Sequence, residues 1–132
     1  MSEKIELRLK IDNWDEKPYR ELADGTKFAR AQVALSDPTG AVESAAYEGL
    51  LYYAADGTSS YVTLMALSGT FGGRAGSLVL RGNGSYDGTT ATGRMTVVPG
   101  SGTGGLAGVT GTATSVSTHA DYPFMPLTLE IA

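Results

Sequence analysis

Cysteine is absent, which excludes disulfides and thiolate chemistry. Histidine occurs once, and without cysteine that leaves too few ligands for a dedicated zinc site. Positive charge is scarce: 10 Lys and Arg stand against 14 Asp and Glu, a formal net charge of −4. Such a surface attracts neither a phosphate backbone nor an anionic bilayer, so nucleic acid and membrane are not expected partners. Long apolar runs are missing too, and no window reaches membrane-spanning length. The opening MSEKIELRLKIDNW interleaves charges where a signal peptide needs an unbroken apolar segment. These absences lead to the expectation of a soluble, cytoplasmic protein that carries no cofactor.

Helical periodicity is the remaining absence. Between Thr70 and Ser117, runs of β-type residues alternate with glycine-dense punctuation instead. The 132 residues, with 18 glycines and abundant Thr, Ser, Val and Tyr, fit one all-β domain over residues 1–132. Ile5, Leu7, Leu9 and Ile11 alternate with Glu6, Arg8, Lys10 and Asp12, the mark of a strand with one wet face. That strand is expected to end near Trp14, because Pro18 argues against a central strand through WDEKPYREL. Further strands are predicted over Lys27–Leu35, Val42–Ala54, Ser60–Thr70, Arg74–Tyr86, Thr90–Val98, Leu106–Ser117 and Met125–Ile131. Asp24-Gly25, Asp56-Gly57, Gly72-Gly73 and Asp87-Gly88 supply turns between them. Eight sequential antiparallel strands close most economically as an up-and-down β-barrel, which leaves no free sheet edge. The glycines of PGSGTGG are turn residues here. A phosphate loop would need a Lys-Ser/Thr and a following helix, and a strand is expected instead.

Two glycine-rich stretches and a shorter opening motif carry a family resemblance. Leu67-Ser68-Gly69-Thr70-Phe71-Gly72-Gly73-Arg74-Ala75-Gly76-Ser77 is the first. Val97-Val98-Pro99-Gly100-Ser101-Gly102-Thr103-Gly104-Gly105-Leu106-Ala107-Gly108 is the second, and Trp14-Asp15-Glu16-Lys17-Pro18-Tyr19 opens the pattern. Together they resemble the bacterial domain of unknown function family 3224 (DUF3224). That family is similar in fold to the allene oxide cyclase-like barrels, which include plant dirigent proteins. The resemblance implies an eight-stranded barrel and, by analogy, cofactor-independent ring closure of a hydrophobic substrate. It also implies a homo-oligomer, dimer or trimer. The family pattern places a Glu on the third strand, matched by Glu48, and a second acidic residue on the fourth, where this chain has Met65 followed by Ala66. If both positions face inward, the substitution gives a greasier lining.

Glu48 lies in the apolar run SAAYEGLLYY, where a carboxylate is either paired, for instance with Arg81 or Arg94, or raised in pKa and usable as a general acid or base. Parity groups Glu48 with Ala46, Leu50 and Tyr52 and sets Ala45, Tyr47, Gly49, Leu51 and Tyr53 opposite; both faces are apolar, and the inward one is left open. Among seven tyrosines, Tyr52 and Tyr61 are the expected cavity phenols, able to donate to a carbonyl or a developing oxyanion. Glu48, Tyr52 and Tyr61 thus form the expected catalytic set. Trp14, Met65, Leu50 and Met95 are expected to shape the substrate cavity, unless they are plain core. Arg94, and less so Arg74, is either solvated or turned inward to meet Glu48 or a ligand carboxylate. His119 with Asp121 is either an acid–base pair at a barrel mouth or a solvated loop.

The leading expectation is a cyclase or isomerase acting on a small hydrophobic molecule of natural-product type. The alternatives are a binding barrel without chemistry and a solid barrel that only assembles. A solvent-connected hollow of about 300 Å³ or more separates the first two from the third.

Overall fold

Period-two alternation, interrupted by bulges in the first and third strands, governs the computed structural model, which describes residues 2–132. The strands are β1 (Glu3–Glu21), β2 (Lys27–Ser36), β3 (Val42–Tyr53), β4 (Ser59–Phe71), β5 (Arg74–Tyr86), β6 (Thr90–Val97), β7 (Gly111–Thr118) and β8 (Phe124–Ile131). Each pairs antiparallel with the next and β8 pairs with β1, closing the barrel. The turns are short because Asp-Gly-Thr recurs at 24–26, 56–58 and 87–89. In the last two, the Asp carboxylate accepts the Thr amide proton at 3.0 and 2.9 Å, and Gly57 and Gly88 take the left-handed φ that the turn requires.

Two expectations are corrected. β1 does not stop at Trp14 but runs on to Glu21. β8 pairs with β1 only as far as Lys10 opposite Phe124, and beyond that β1 pairs with β2 alone. Pro18 therefore stands on a strand with one free edge, where proline is tolerated. A bulge between Ile11 and Asn13 also switches the inward face of β1. Before it the inward residues are odd-numbered, up to Leu9 and Ile11; after it Trp14 and Glu16 lie opposite the buried Val33 and Ala31.

The second correction concerns β7, which begins at Gly111 and not at Leu106. β6 ends opposite Leu80, and although Val98 N–H still reaches the Val79 carbonyl at 2.9 Å, the Val79 N–H and the backbone of Ser77 are left without a strand partner on that side. The loop from Pro99 to Thr110 fills the gap. Thr103 donates its amide to the Ser77 carbonyl at 2.9 Å, and Ser101 Oγ accepts from Val79 N–H at 3.1 Å. The approach is so close that a Cβ on Gly76 would collide with the Thr103 carbonyl. The loop then turns through a single 3-10 turn and drops Leu106 and Val109 into the barrel end, both buried. Phe71, Leu78 and Ile131 pack around them, so this end is plugged.

Candidate functional site

Hydrogen-bonded rows of inward side chains explain where the barrel is solid and where it is hollow. One row runs Val33, Tyr47, Met65, Leu80, Val97 across β2 to β6, and it is bulky. The next row toward the other end runs Ala31, Gly49, Thr63, Gly82, Met95, and it is small. Small residues facing one another leave volume unfilled. The result is a cavity of about 430 Å³ that opens at the end opposite the plug. Aromatic side chains stand among small and aliphatic ones in its walls: Trp14, Tyr47, Tyr53, Tyr61 and Tyr86 line it, with His119 and Tyr122 from the β7–β8 connection and Phe124 at the start of β8. No helix of the described residues is long and apolar enough to cross a membrane.

The aromatic walls are held by specific contacts. Trp14 meets Tyr47 edge-on, with ring centroids 6.2 Å apart and planes at 84°. The Tyr61 ring lies against Gly84, where a Cβ would come within 2.6 Å of the ring carbons. Glu16 joins two wall residues: its Oε2 accepts from the Tyr53 hydroxyl at 2.6 Å and its Oε1 from Trp14 Nε1 at 3.1 Å. The hydroxyls of Tyr47 and Tyr61 are not among the side-chain hydrogen bonds of the described residues, and neither is sealed from solvent. Burial pushes the Tyr47 phenol pKa up, helped by neighbouring Tyr61 and by the charge of Glu16. Burial also raises Tyr61, and burial together with the bond to Glu16 raises Tyr53. All three phenols are therefore donors at neutral pH.

Of the expected residues, the structure brings Tyr61, Trp14 and Met95 to the cavity. Met65 faces inward but is buried in the packed row beneath the hollow, so it is floor and not lining. Four placements are corrected: Glu48, Tyr52, Leu50 and Arg94 are on the outside of the barrel. The choice of face on β3 is made by its register with β2, where the buried Ala29 and Ala31 lie opposite Leu51 and Gly49. Leu50 is accordingly 48% exposed, whereas Leu51 is buried. Glu48 forms an exposed ion pair with Arg30, and Gln32 also donates to it. These bonds hold its carboxyl below the usual range, the opposite of the raised pKa a buried general acid needs. Tyr52 packs outward against Phe28, and Arg94 borders a surface groove with Arg81 and Glu48.

The His119–Asp121 pair is not formed. Asp121 is occupied by the Thr118 amide and hydroxyl, at 2.9 and 3.2 Å. His119 Nε2 instead meets the Tyr86 hydroxyl at 2.5 Å. That hydroxyl donates to the Gly88 carbonyl, so Nε2 is the donor to the phenol oxygen. Sequence reading missed Glu16, Tyr47, Tyr53 and Tyr86. The usable signal was the Trp14-x-Glu16 spacing, which sets both side chains on one face of an extended strand.

Residues 8–129 match the sequence profile of a family described as a protein of unknown function, DUF3224. The chain belongs to the DUF3224 family. A crystal structure of a DUF3224 protein of unknown function from Shewanella oneidensis MR-1 is similar, with 26% identity and a TM-score of 0.67 over 98% of each chain. No curated protein matches this sequence. Within this DUF3224 barrel, the two glycine-rich motifs meet at the plug, through Ser77 and Thr103, whereas the Trp14–Tyr19 motif builds the rim of the hollow.

Proposed function

We propose that this barrel takes up a small, largely apolar molecule and polarises one of its oxygen atoms, as a cofactor-independent isomerase or cyclase would. The observation that carries the reading is the pair of phenol donors, Tyr47 and Tyr61, in an open, mainly apolar hollow of about 430 Å³. That volume lies in the range of small-molecule sites, and burial there raises the value of each hydrogen bond. A carbonyl or epoxide oxygen set against two protonated phenols would be stabilised as it gained negative charge. Confinement would select folded conformers of a flexible chain, which favours ring closure. Glu48 has no part in this version, because its carboxylate is on the outer wall. The binding barrel without chemistry remains the second reading, favoured by the lack of a carboxylate among the residues lining the hollow itself.

The test uses the chain's single tryptophan as a reporter, since Trp14 is in the cavity wall. Naphthalene and 2-acetylnaphthalene should both change Trp14 fluorescence, and the ketone should bind more tightly. Tyr61→Phe should weaken the ketone by roughly five- to tenfold, the size of one neutral hydrogen bond, and leave naphthalene unchanged. Absence of binding by either compound would remove the proposal. Binding of both with no effect of Tyr47→Phe or Tyr61→Phe would leave only the carrier.

A further inference from the structure

The polar groups around the hollow are unequal in charge. None of the residues lining it is a lysine, arginine, aspartate or glutamate. Charged side chains do touch wall residues: Arg8 stacks 3.9 Å over the Phe124 ring, Asp121 accepts from Thr118, and Glu16, half-buried, is gripped by the polar edges of Tyr53 and Trp14. Those two bonds use two of about four acceptor sites on a carboxylate, so acceptor capacity remains. Among the described residues the ion pair seen is Arg30–Glu48, on the outer wall, and Glu16 has no cation within ion-pair distance. The arginines that a carboxylate ligand would need, Arg30, Arg81 and Arg94, border the outer groove. A partly desolvated carboxylate with no cationic partner, framed by aromatic rings, is the arrangement that recognises an organic ammonium. The rim already carries one such contact. Lys27 Nζ lies 5.0 Å from the centroid of the Tyr53 ring.

We infer that the hollow selects for the sign of its ligand's charge, taking an apolar molecule that bears an amine and rejecting one that bears a carboxylate. This rests on the small-molecule reading above and adds the substrate class to it. In the bound state the apolar body fills the space left by Gly49, Thr63 and Gly93. The ammonium stays at the mouth beside Glu16, against the exposed side of Trp14, where it replaces water as the partner of the free lone pairs. A carboxylate in the same place would face Glu16, with no basic side chain among the lining residues and only Lys27 at the rim to offset it.

A matched set of naphthalene compounds tests this by titration calorimetry: 2-naphthylmethylamine, 2-naphthalenemethanol, 2-naphthoate and naphthalene itself. The amine is expected to bind at least ~10-fold more tightly than the alcohol, and the naphthoate more weakly than either. Glu16→Gln should reduce the amine to the level of the alcohol measured in the same variant. Lys27→Gln should widen the amine's advantage, because it removes a competing cation from the rim. An amine advantage that survives Glu16→Gln, or naphthoate binding equal to the amine's, overturns the inference. If Glu16→Gln does not fold, salt and Lys27→Gln decide: an advantage unchanged by both overturns it, and one that shrinks in salt and grows without Lys27 sustains it. Failure of all four compounds to bind is a different result, which removes the small-molecule reading itself.

Discussion

The two ends of this barrel are made from the same strands and differ in what alternate positions carry and in the loops that reach them. At the plugged end the inward residues are Leu67, Phe71, Leu78 and Ile131, and a loop adds Leu106 and Val109. At the open end they are Ala31, Gly49, Thr63 and Gly93, with rings standing around the gap. A closed eight-stranded sheet fixes the diameter, so side-chain volume decides between core and cavity. The difference teaches that packed core and open space are spatially divided here. Large apolar side chains at one end supply the cohesion, and the other end can afford unfilled space and polar groups.

The sharpest way to break that division is to damage the plug. Leu106 is fully buried. Leu106→Ala should cost about 3 kcal/mol in urea unfolding, from lost burial and the cavity left behind. Trp14→Ala, at the rim and 44% exposed, should cost under about 1 kcal/mol while weakening 2-acetylnaphthalene in titration calorimetry. Equal losses of stability at the two ends would show that cohesion is shared along the whole barrel.

The plugged end was also the more legible one. The strand positions, the Asp-Gly turns and barrel closure followed from alternation and turn chemistry, because both are local properties. Leu106 was assigned to a strand since a loop that pairs with β5 through Ser77 and Val79 depends on where β6 stops, which is not local. The open end defeated sequence reading for two reasons. β3 is apolar on both faces, so Glu48 and Tyr47 could not be sorted without the register to β2. The bulge after Ile11 reverses the face of β1, and Pro18 concealed that Trp14 and Glu16 are still in a strand. A one-residue shift in either strand exchanges every inward side chain for an outward one.

Filling the hollow should sharpen the comparison from the other side. Gly49 faces inward, and a Cβ there would meet the Val62 carbonyl at 3.5 Å, an ordinary contact. Gly49→Leu should therefore fold, with its side chain in the cavity, and weaken 2-acetylnaphthalene at least tenfold, about 1.4 kcal/mol. Gly82→Ala is the control, since its Cβ would collide with the Arg94 carbonyl. It should lower stability without adding bulk to the hollow. A Gly49→Leu protein that still binds the ketone would place the ligand elsewhere than between β3 and β5.

The smallest effect separates the ends by pH. Tyr47, Tyr53 and Tyr61 stand at the open end with raised phenol pKa values, burial being the first cause in each. The folded chain holds these protons more tightly than the unfolded chain, where a phenol titrates near its ordinary value of 10.0. Their contribution is whole below that pH and is lost as the pH climbs through the raised values. For the well-buried Tyr47 the loss at pH 11 is on the order of 1 kcal/mol, and less for the more exposed Tyr61. Melting of the native chain should fall between pH 9 and pH 11, and the Tyr47→Phe/Tyr61→Phe double variant should fall by less. Parallel decline in both proteins would assign the alkaline limb to groups away from the cavity, and the phenols would then sit in water rather than in an apolar wall.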